Sequence, residues 1–97
     1  MEICRVATAG TMESSDIMIT LEPGKGIEIE LSSTVQKQFG NAIRATIVRT
    51  FHEMGVENAK ATVVDKGALD CVVIARTRTA VHRAAGNDDY HWGGQGE

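Results

Sequence analysis

The chain has 97 residues, with ten basic and thirteen acidic side chains and a formal net charge of −3. That length supports a single domain, and the 42% hydrophobic and 24% charged shares are ordinary for a water-soluble globular chain. The mildly acidic balance argues against nucleic-acid binding, which calls for a basic stripe; no apolar run approaches the ~20 residues of a membrane span, and Met1-Glu2-Ile3-Cys4-Arg5 carries no basic start leading into an apolar stretch, so neither a membrane partner nor a secretory signal is expected.

Residues 2–8 are mixed and partly β-branched and predict an edge strand. Ala9-Gly10-Thr11-Met12-Glu13-Ser14-Ser15 gathers small and hydroxyl residues and reads as a loop. Residues 16–22 then alternate, with Ile17, Ile19 and Leu21 against Asp16, Thr20 and Glu22. Pro23-Gly24-Lys25-Gly26 is a turn by composition. Residues 27–31 alternate again, with Ile27, Ile29 and Leu31 against Glu28 and Glu30. Two such runs joined by a short turn predict a β-hairpin with one buried face.

Ser33-Thr34-Val35-Gln36 has the spacing of a capping box, so a helix is expected to begin there. The stripe Val35, Phe39, Ile43, Ile47, Phe51, flanked by Ala42 and Met54, describes a one-sided helix of about five turns. Arg44 and Arg49 fall on its wet side, and Gly55 supplies a left-handed stop. Ala59 to Asp65 predicts a strand that Lys66-Gly67 breaks. Residues 68–85 read two ways: Leu69, Val72, Val73, Arg76, Ala80 and Ala84 fit a helical stripe, while Val72-Val73-Ile74 would suit a strand. Length favours a helix, ended by Gly86. The predicted order is β-β-β-α-β-α, an α+β fold with a small, mostly antiparallel sheet and two helices on one face. Residues 1–86 form the expected domain, and 87–97, with three glycines and Asp88-Asp89, a flexible tail.

Charge is uneven. Residues 1–30 hold six acids and two bases, a balance of −4; residues 31–60 come to +2 and the remainder to −1. The acidic first third could steer a basic partner, although a solvated strand face explains it as well. Cys4 and Cys71 are far apart and in no metal or redox spacing, so they are expected as reduced, buried thiols. His52 and His82 match no nucleophile pairing, and His91 with Asp88 and Asp89 matches no ligand pattern, so no metal site is expected. The chain lacks a Ser-His-Asp signature, a P-loop and a dinucleotide fingerprint, which leaves no catalytic residue to name. Glu13 and Asp16 flank Ser14 and Ser15, but a carboxylate on an exposed loop is a weak base at neutral pH. Two serines at the tip of a loop leading into a strand instead offer another enzyme a reachable hydroxyl.

Three separated motifs give the chain a recognisable resemblance: Ala9 to Asp16, then Lys37-Gln38-Phe39-Gly40 with Ala42-Ile43-Arg44, then Asp65-Lys66-Gly67-Ala68-Leu69-Asp70-Cys71. In order and spacing, over roughly residues 7 to 85, they resemble the acyl carrier protein (gamma chain) family of citrate lyase; the tail past Gly86 departs from the pattern. The resemblance implies a bacterial cytoplasmic complex of three chain types that splits citrate into acetate and oxaloacetate. It implies a triphosphoribosyl-dephospho-coenzyme A derived prosthetic group joined by a phosphodiester to Ser14, with Ser15 the less favoured acceptor. Its thiol would carry acetyl and citryl between an alpha (transferase) chain and a beta (lyase) chain. Glu13, Ser15 and Asp16 would flank the attachment, and Glu13 and Asp16 could contribute to the surface read by the prosthetic-group transferase or the alpha chain. The fold implied is not the four-helix carrier bundle, whose serine opens a helix within Asp-Ser-Leu, a step absent here. Two alternatives stay open: the acyl carrier chain of malonate decarboxylase, and a non-catalytic α+β interaction module.

Overall fold

The computed structural model describes residues 1–33 and 36–86. The elements run β1 (Ala7–Gly10), β2 (Ile17–Glu22), β3 (Ile27–Ser33), α1 (Gln36–Glu53), β4 (Ala59–Asp65) and α2 (Asp70–Ala84). The order is the expected β-β-β-α-β-α, and the fold is α+β, not a helical bundle. The helices pack against one face of a four-stranded sheet and against each other, α1 over β3 and α2 over β1 and β2.

Strand order departs from expectation. It is β1-β2-β4-β3, with β1–β2 and β2–β4 antiparallel and β3–β4 parallel. The two alternating runs around Pro23-Gly24-Lys25-Gly26 are strands, but they do not pair as a hairpin, because β4 lies between them. The β3–α1–β4 crossover is long enough to return the chain parallel to β3, and β4 is the strand suited to the centre. Its Ala59, Ala61 and Val63 are no more than 1% exposed, whereas Ile27, Ile29 and Leu31 of β3 are only half-buried. Residues 23–26 therefore bridge two strand spacings, about 9–10 Å, and are pinned to the start of β4. The Gly26 amide donates to Asn58 Oδ1 at 2.8 Å, and the Ala59 amide to the Gly26 carbonyl at 2.8 Å. Glu28 and Glu30 point outward from the edge strand β3, which discourages pairing with another chain. Register sets Lys60 of β4 between Glu22 and Glu28, so part of the acidic first third flanks a base on the open face of the sheet.

The core is the sheet face of β2 and β4 against the inner stripes of the helices. Ile17, Ile19, Leu21, Ile47, Phe51, Val73 and Val81 lie within it. Three buried threonines satisfy their hydroxyls along their own helices: Thr46 donates to Ala42 O at 3.0 Å, Thr50 to Thr46 O at 2.8 Å and Thr77 to Val73 O at 2.7 Å. Gly55 ends α1 at φ +72°, with the Val56 amide reaching back to Phe51 O at 2.9 Å, as expected of a left-handed stop. Gly86 follows α2 in the same conformation. The ambiguous residues from Asp70 onward are helical. The capping-box expectation includes Thr34 and Val35, and the tail with His91, Asp88 and Asp89 begins at 87; both lie outside the described residues.

The first residues behave differently from the expected edge strand over 2–8. Pairing begins only at Ala7, and the residues before it clasp helix ends. The Met1 amino group donates to Met54 O and Gly55 O at 3.1 and 2.8 Å, and the Cys4 and Arg5 amides donate to Ala84 O. The carbonyls past the last turn of a helix have no partner within it, and this segment supplies donors. Cys4 and Cys71 are exposed free thiols rather than buried ones, because Cys4 lies in this surface clasp and Cys71 on the outer side of α2.

Candidate serine-turn site

Between β1 and β2 the chain reverses through Thr11–Asp16. Gly10, at φ +94°, makes the entry: a Cβ there would lie 1.8 Å from the Ile17 carbonyl oxygen, so only glycine fits. The Asp16 amide donates to Glu13 O at 3.1 Å, closing a four-residue turn with Ser14 and Ser15 at its centre. Among the described residues Ser15 is the non-glycine residue with positive φ, +67°, and it stands at the third position of the turn, where type II geometry calls for it. Ser14 is thereby set at the outer corner, exposed, and among the described residues no hydrogen bond engages its hydroxyl.

The rest of the turn is tightly held, and Asp16 is the node. Its Oδ2 accepts from Thr11 Oγ1 at 2.6 Å, and its Oδ1 from the Ile17 amide at 2.7 Å. Arg76 of α2 completes the set with a two-pronged contact, Nε to Oδ1 at 3.1 Å and Nη2 to Oδ2 at 2.9 Å. Thr11 Oγ1 in turn accepts from the Glu13 amide at 3.2 Å. With the Arg76 guanidinium foremost and the Thr11 hydroxyl next, these donors hold the Asp16 carboxyl at a pKa of about 2, against burial that pushes the other way. A carboxylate so committed cannot serve as a general base at neutral pH. Of the two acids flanking the serines, Glu13 is exposed, while the Asp16 side chain is 14% exposed and turned toward Thr11 and Arg76.

A second loop, at the end of the neighbouring strand β4, braces the turn. The Ser15 amide donates to Lys66 O at 2.8 Å, and the Lys66 amide to Asp16 O at 2.9 Å. Lys66 follows β4, where the buried Asp65 accepts from Ser33 Oγ at 2.8 Å and from the Gly67 and Ala68 amides at 3.2 and 3.0 Å. On its far side this loop faces the first turns of α1 across a groove of about 520 Å³, whose walls include Phe39, Ile43, Ala68 and Leu69. Phe39 and Leu69, both placed on apolar stripes by their spacing, are 52% and 70% exposed at its mouth.

The structure thus gathers Glu13, Ser14, Ser15 and Asp16 in one turn and brings the first and third sequence motifs together through backbone hydrogen bonds. Arg76 is the functional neighbour the sequence reading passed over. Its signal was present: a guanidinium on an otherwise apolar helical stripe favours an anionic partner, even with 40% of the side chain exposed. Among the described residues no cluster of His, Cys, Asp and Glu could hold a metal ion, and no helix is long and apolar enough to cross a membrane. His52 is exposed on α1. His82 is held below its ordinary pKa by burial and the nearby Arg78.

Comparison with known proteins places these features in context. A family profile described as malonate decarboxylase delta subunit (MdcD) matches residues 5–84. The citrate lyase acyl carrier protein of Streptococcus equi subsp. equi (strain 4047) is 58% identical over 94 residues, 95% of this chain and 92% of that one. That of Latilactobacillus sakei subsp. sakei (strain 23K) is 55% identical over 93 residues, again 95% and 92%. Among solved structures, a chain of a Pseudomonas malonate decarboxylase hetero-tetramer in complex with malonate superposes with a TM-score of 0.74, covering 84% of this chain and 86% of that one. At 21% identity that likeness establishes the fold alone.

Proposed function

The chain belongs to the citrate lyase acyl carrier protein family, and on that premise we propose that it is a carrier subunit whose Ser14 hydroxyl anchors a covalent, thiol-bearing arm. The observation that carries this reading is the contrast within the turn. Thr11, Asp16 and the Ser15 amide are locked by hydrogen bonds, while the Ser14 hydroxyl stands outside the network at an exposed corner. A fixed backbone with a free hydroxyl suits a residue that another enzyme must grip and modify.

The group proposed is the triphosphoribosyl-dephospho-coenzyme A derived arm, joined through a phosphodiester to Ser14. When bound, it supplies a thiol able to hold an acyl group as a thioester. The exposed corner fits such an attachment, since the Ser14 hydroxyl is open to solvent and engaged by no hydrogen bond among the described residues. This chain's own residues do the positioning. Arg76 and Thr11 hold Asp16, Lys66 holds Ser15 and Asp16 by their backbones, and the turn keeps one orientation relative to the sheet. Chemistry on the acyl group falls to partner chains, an alpha transferase and a beta lyase, and loading falls to a prosthetic-group transferase. A long tether makes each visit to a partner's active site intramolecular, at an effective concentration on the order of millimolar. Residues 1–86 are the carrier domain in this reading.

Intact mass tests it. Protein made in a host that synthesises the group should carry the adduct, Ser14→Ala should lose it, and Ser15→Ala should keep it. Unmodified protein that still supports citrate cleavage in a reconstituted complex would remove the carrier reading. A second reading, service to a malonate decarboxylase, is favoured by the profile match. The 58% identity to a citrate lyase carrier, against 21% for the malonate decarboxylase chain, favours citrate. Reconstitution with citrate lyase or malonate decarboxylase partner chains separates the two.

A further inference from the structure

Resting on Ser14 as the anchorage, we propose that the groove between α1 and the Asp65–Asp70 loop is the docking site of the arm's neutral, thiol-bearing end. The groove encloses about 520 Å³, within the range of small-molecule sites. Its walls are apolar: Phe39, Ala42 and Ile43 from α1, Ala68 and Leu69 from the loop. Phe39 at 52% and Leu69 at 70% exposure are large apolar side chains left facing water at its mouth. Exposed apolar surface gathered in one region marks a binding site.

Position selects the occupant. The Lys66 carbonyl that accepts the Ser15 amide is one residue from Gly67, which lines the groove, so the loop that braces the Ser14 turn on one side forms a wall of the groove on the other, and a long arm leaving Ser14 has only that loop to cross. Tethering at an effective concentration of about millimolar populates a docked state even when the intrinsic dissociation constant is itself about millimolar. Charge selects the part of the arm that enters. Among the described residues, the ionisable ones lining the groove are Asp65 and Asp70. Asp65 already accepts three hydrogen bonds from its own chain. Phosphates are repelled there and stay outside, while the uncharged pantetheine-like segment and a small neutral acyl group bury against Phe39 and Leu69. Docking withholds the thioester from water between visits to partner sites.

The test is amide chemical-shift mapping of the full-length protein, unmodified and loaded, with loading verified by mass. Loading should shift Phe39, Ala42, Ile43 and Gly67 to Asp70. Leu69→Asp should abolish these shifts without loss of folding, since aspartate is a favoured residue at a helix N-cap and places a third carboxylate at the groove. Ala42→Glu, at an exposed helical position, should do the same. A Ser14 adduct with the groove amides unmoved overturns docking and leaves the carrier assignment standing. Shifts that appear only when a partner chain is added overturn it in favour of a protein contact. No adduct on Ser14 in a competent host overturns the carrier assignment, and docking with it.

Discussion

Arg76 and Asp16, sixty positions apart, meet through two parallel hydrogen bonds of 3.1 and 2.9 Å that fasten α2 to the turn carrying Ser14. Paired contacts of this kind fix orientation as well as distance. They make the geometry of a surface turn depend on the packing of a helix distant in sequence.

Asp16→Asn should destabilise the fold by about 1–3 kcal/mol, because it discards a charge-assisted contact and leaves Arg76 without its anion. That is a large fraction of the roughly 5–15 kcal/mol available to a domain of this size. Arg76→Lys should recover only part of the loss of Arg76→Ala, since an ammonium cannot reproduce the fork. Urea unfolding of the variants measures both, and equal stability of Arg76→Lys and wild type would show that the fork is not needed.

The same contact sets an acid limit. The Asp16 carboxyl is lowered from its usual 3.8 to about 2 in the folded chain. A depressed folded pKa means that the unfolded chain binds the proton more tightly, so the contribution is complete above pH 4 and is lost as pH falls toward 2. The difference in stability between wild type and Asp16→Asn should therefore be constant from neutrality down to about pH 4 and shrink progressively below it. Unfolding curves collected across that interval check the sign.

Ser15 occupies the left-handed region at φ +67°, which costs an ordinary residue roughly 1–2 kcal/mol. Glycine avoids that cost but loses about 0.5–1 kcal/mol of chain entropy, so Ser15→Gly should be neutral or stabilising by about 0.5 kcal/mol. Ser15→Val should lose more than about 1 kcal/mol, because a β-branched residue is least tolerant of positive φ. Thermal unfolding distinguishes the pair, and both should still accept the adduct at Ser14 if the hydroxyl there is the anchorage.

Gly10 and Gly26 both have positive φ, yet they should respond differently to alanine. At Gly10 the new Cβ would lie 1.8 Å from the Ile17 carbonyl, whereas at Gly26 nothing lies within 4 Å. Gly26→Ala should cost roughly 1–2 kcal/mol from backbone conformation alone. Gly10→Ala must also part β1 from β2, and soluble yield with circular dichroism should show it failing to reach the native fold. Equal behaviour of the two would mean that the entry to the serine turn is not sterically closed.

Most of the local structure could be read from the sequence because it is written in local terms. Alternation at Ile17-Ile19-Leu21, the stripe Ile43-Ile47-Phe51 and the stops at Gly55 and Gly86 each depend on residues a few positions apart, and all were found where the spacing put them. The turn around Ser14 was legible for the same reason. Which strand lies beside which was not, since backbone hydrogen bonds are the same for any pair of strands; β4 took the centre through the burial of Ala59, Ala61 and Val63 and the reach of the α1 crossover. Spacing also cannot say whether the end of a stripe is covered, so Phe39 and Leu69 proved exposed at a groove. Nor could it say what answers the charge of Arg76. Partner choice at that distance is made by topology, which sets α2 against the sheet end where Asp16 waits, and no property of either residue's neighbours in the chain contains that information.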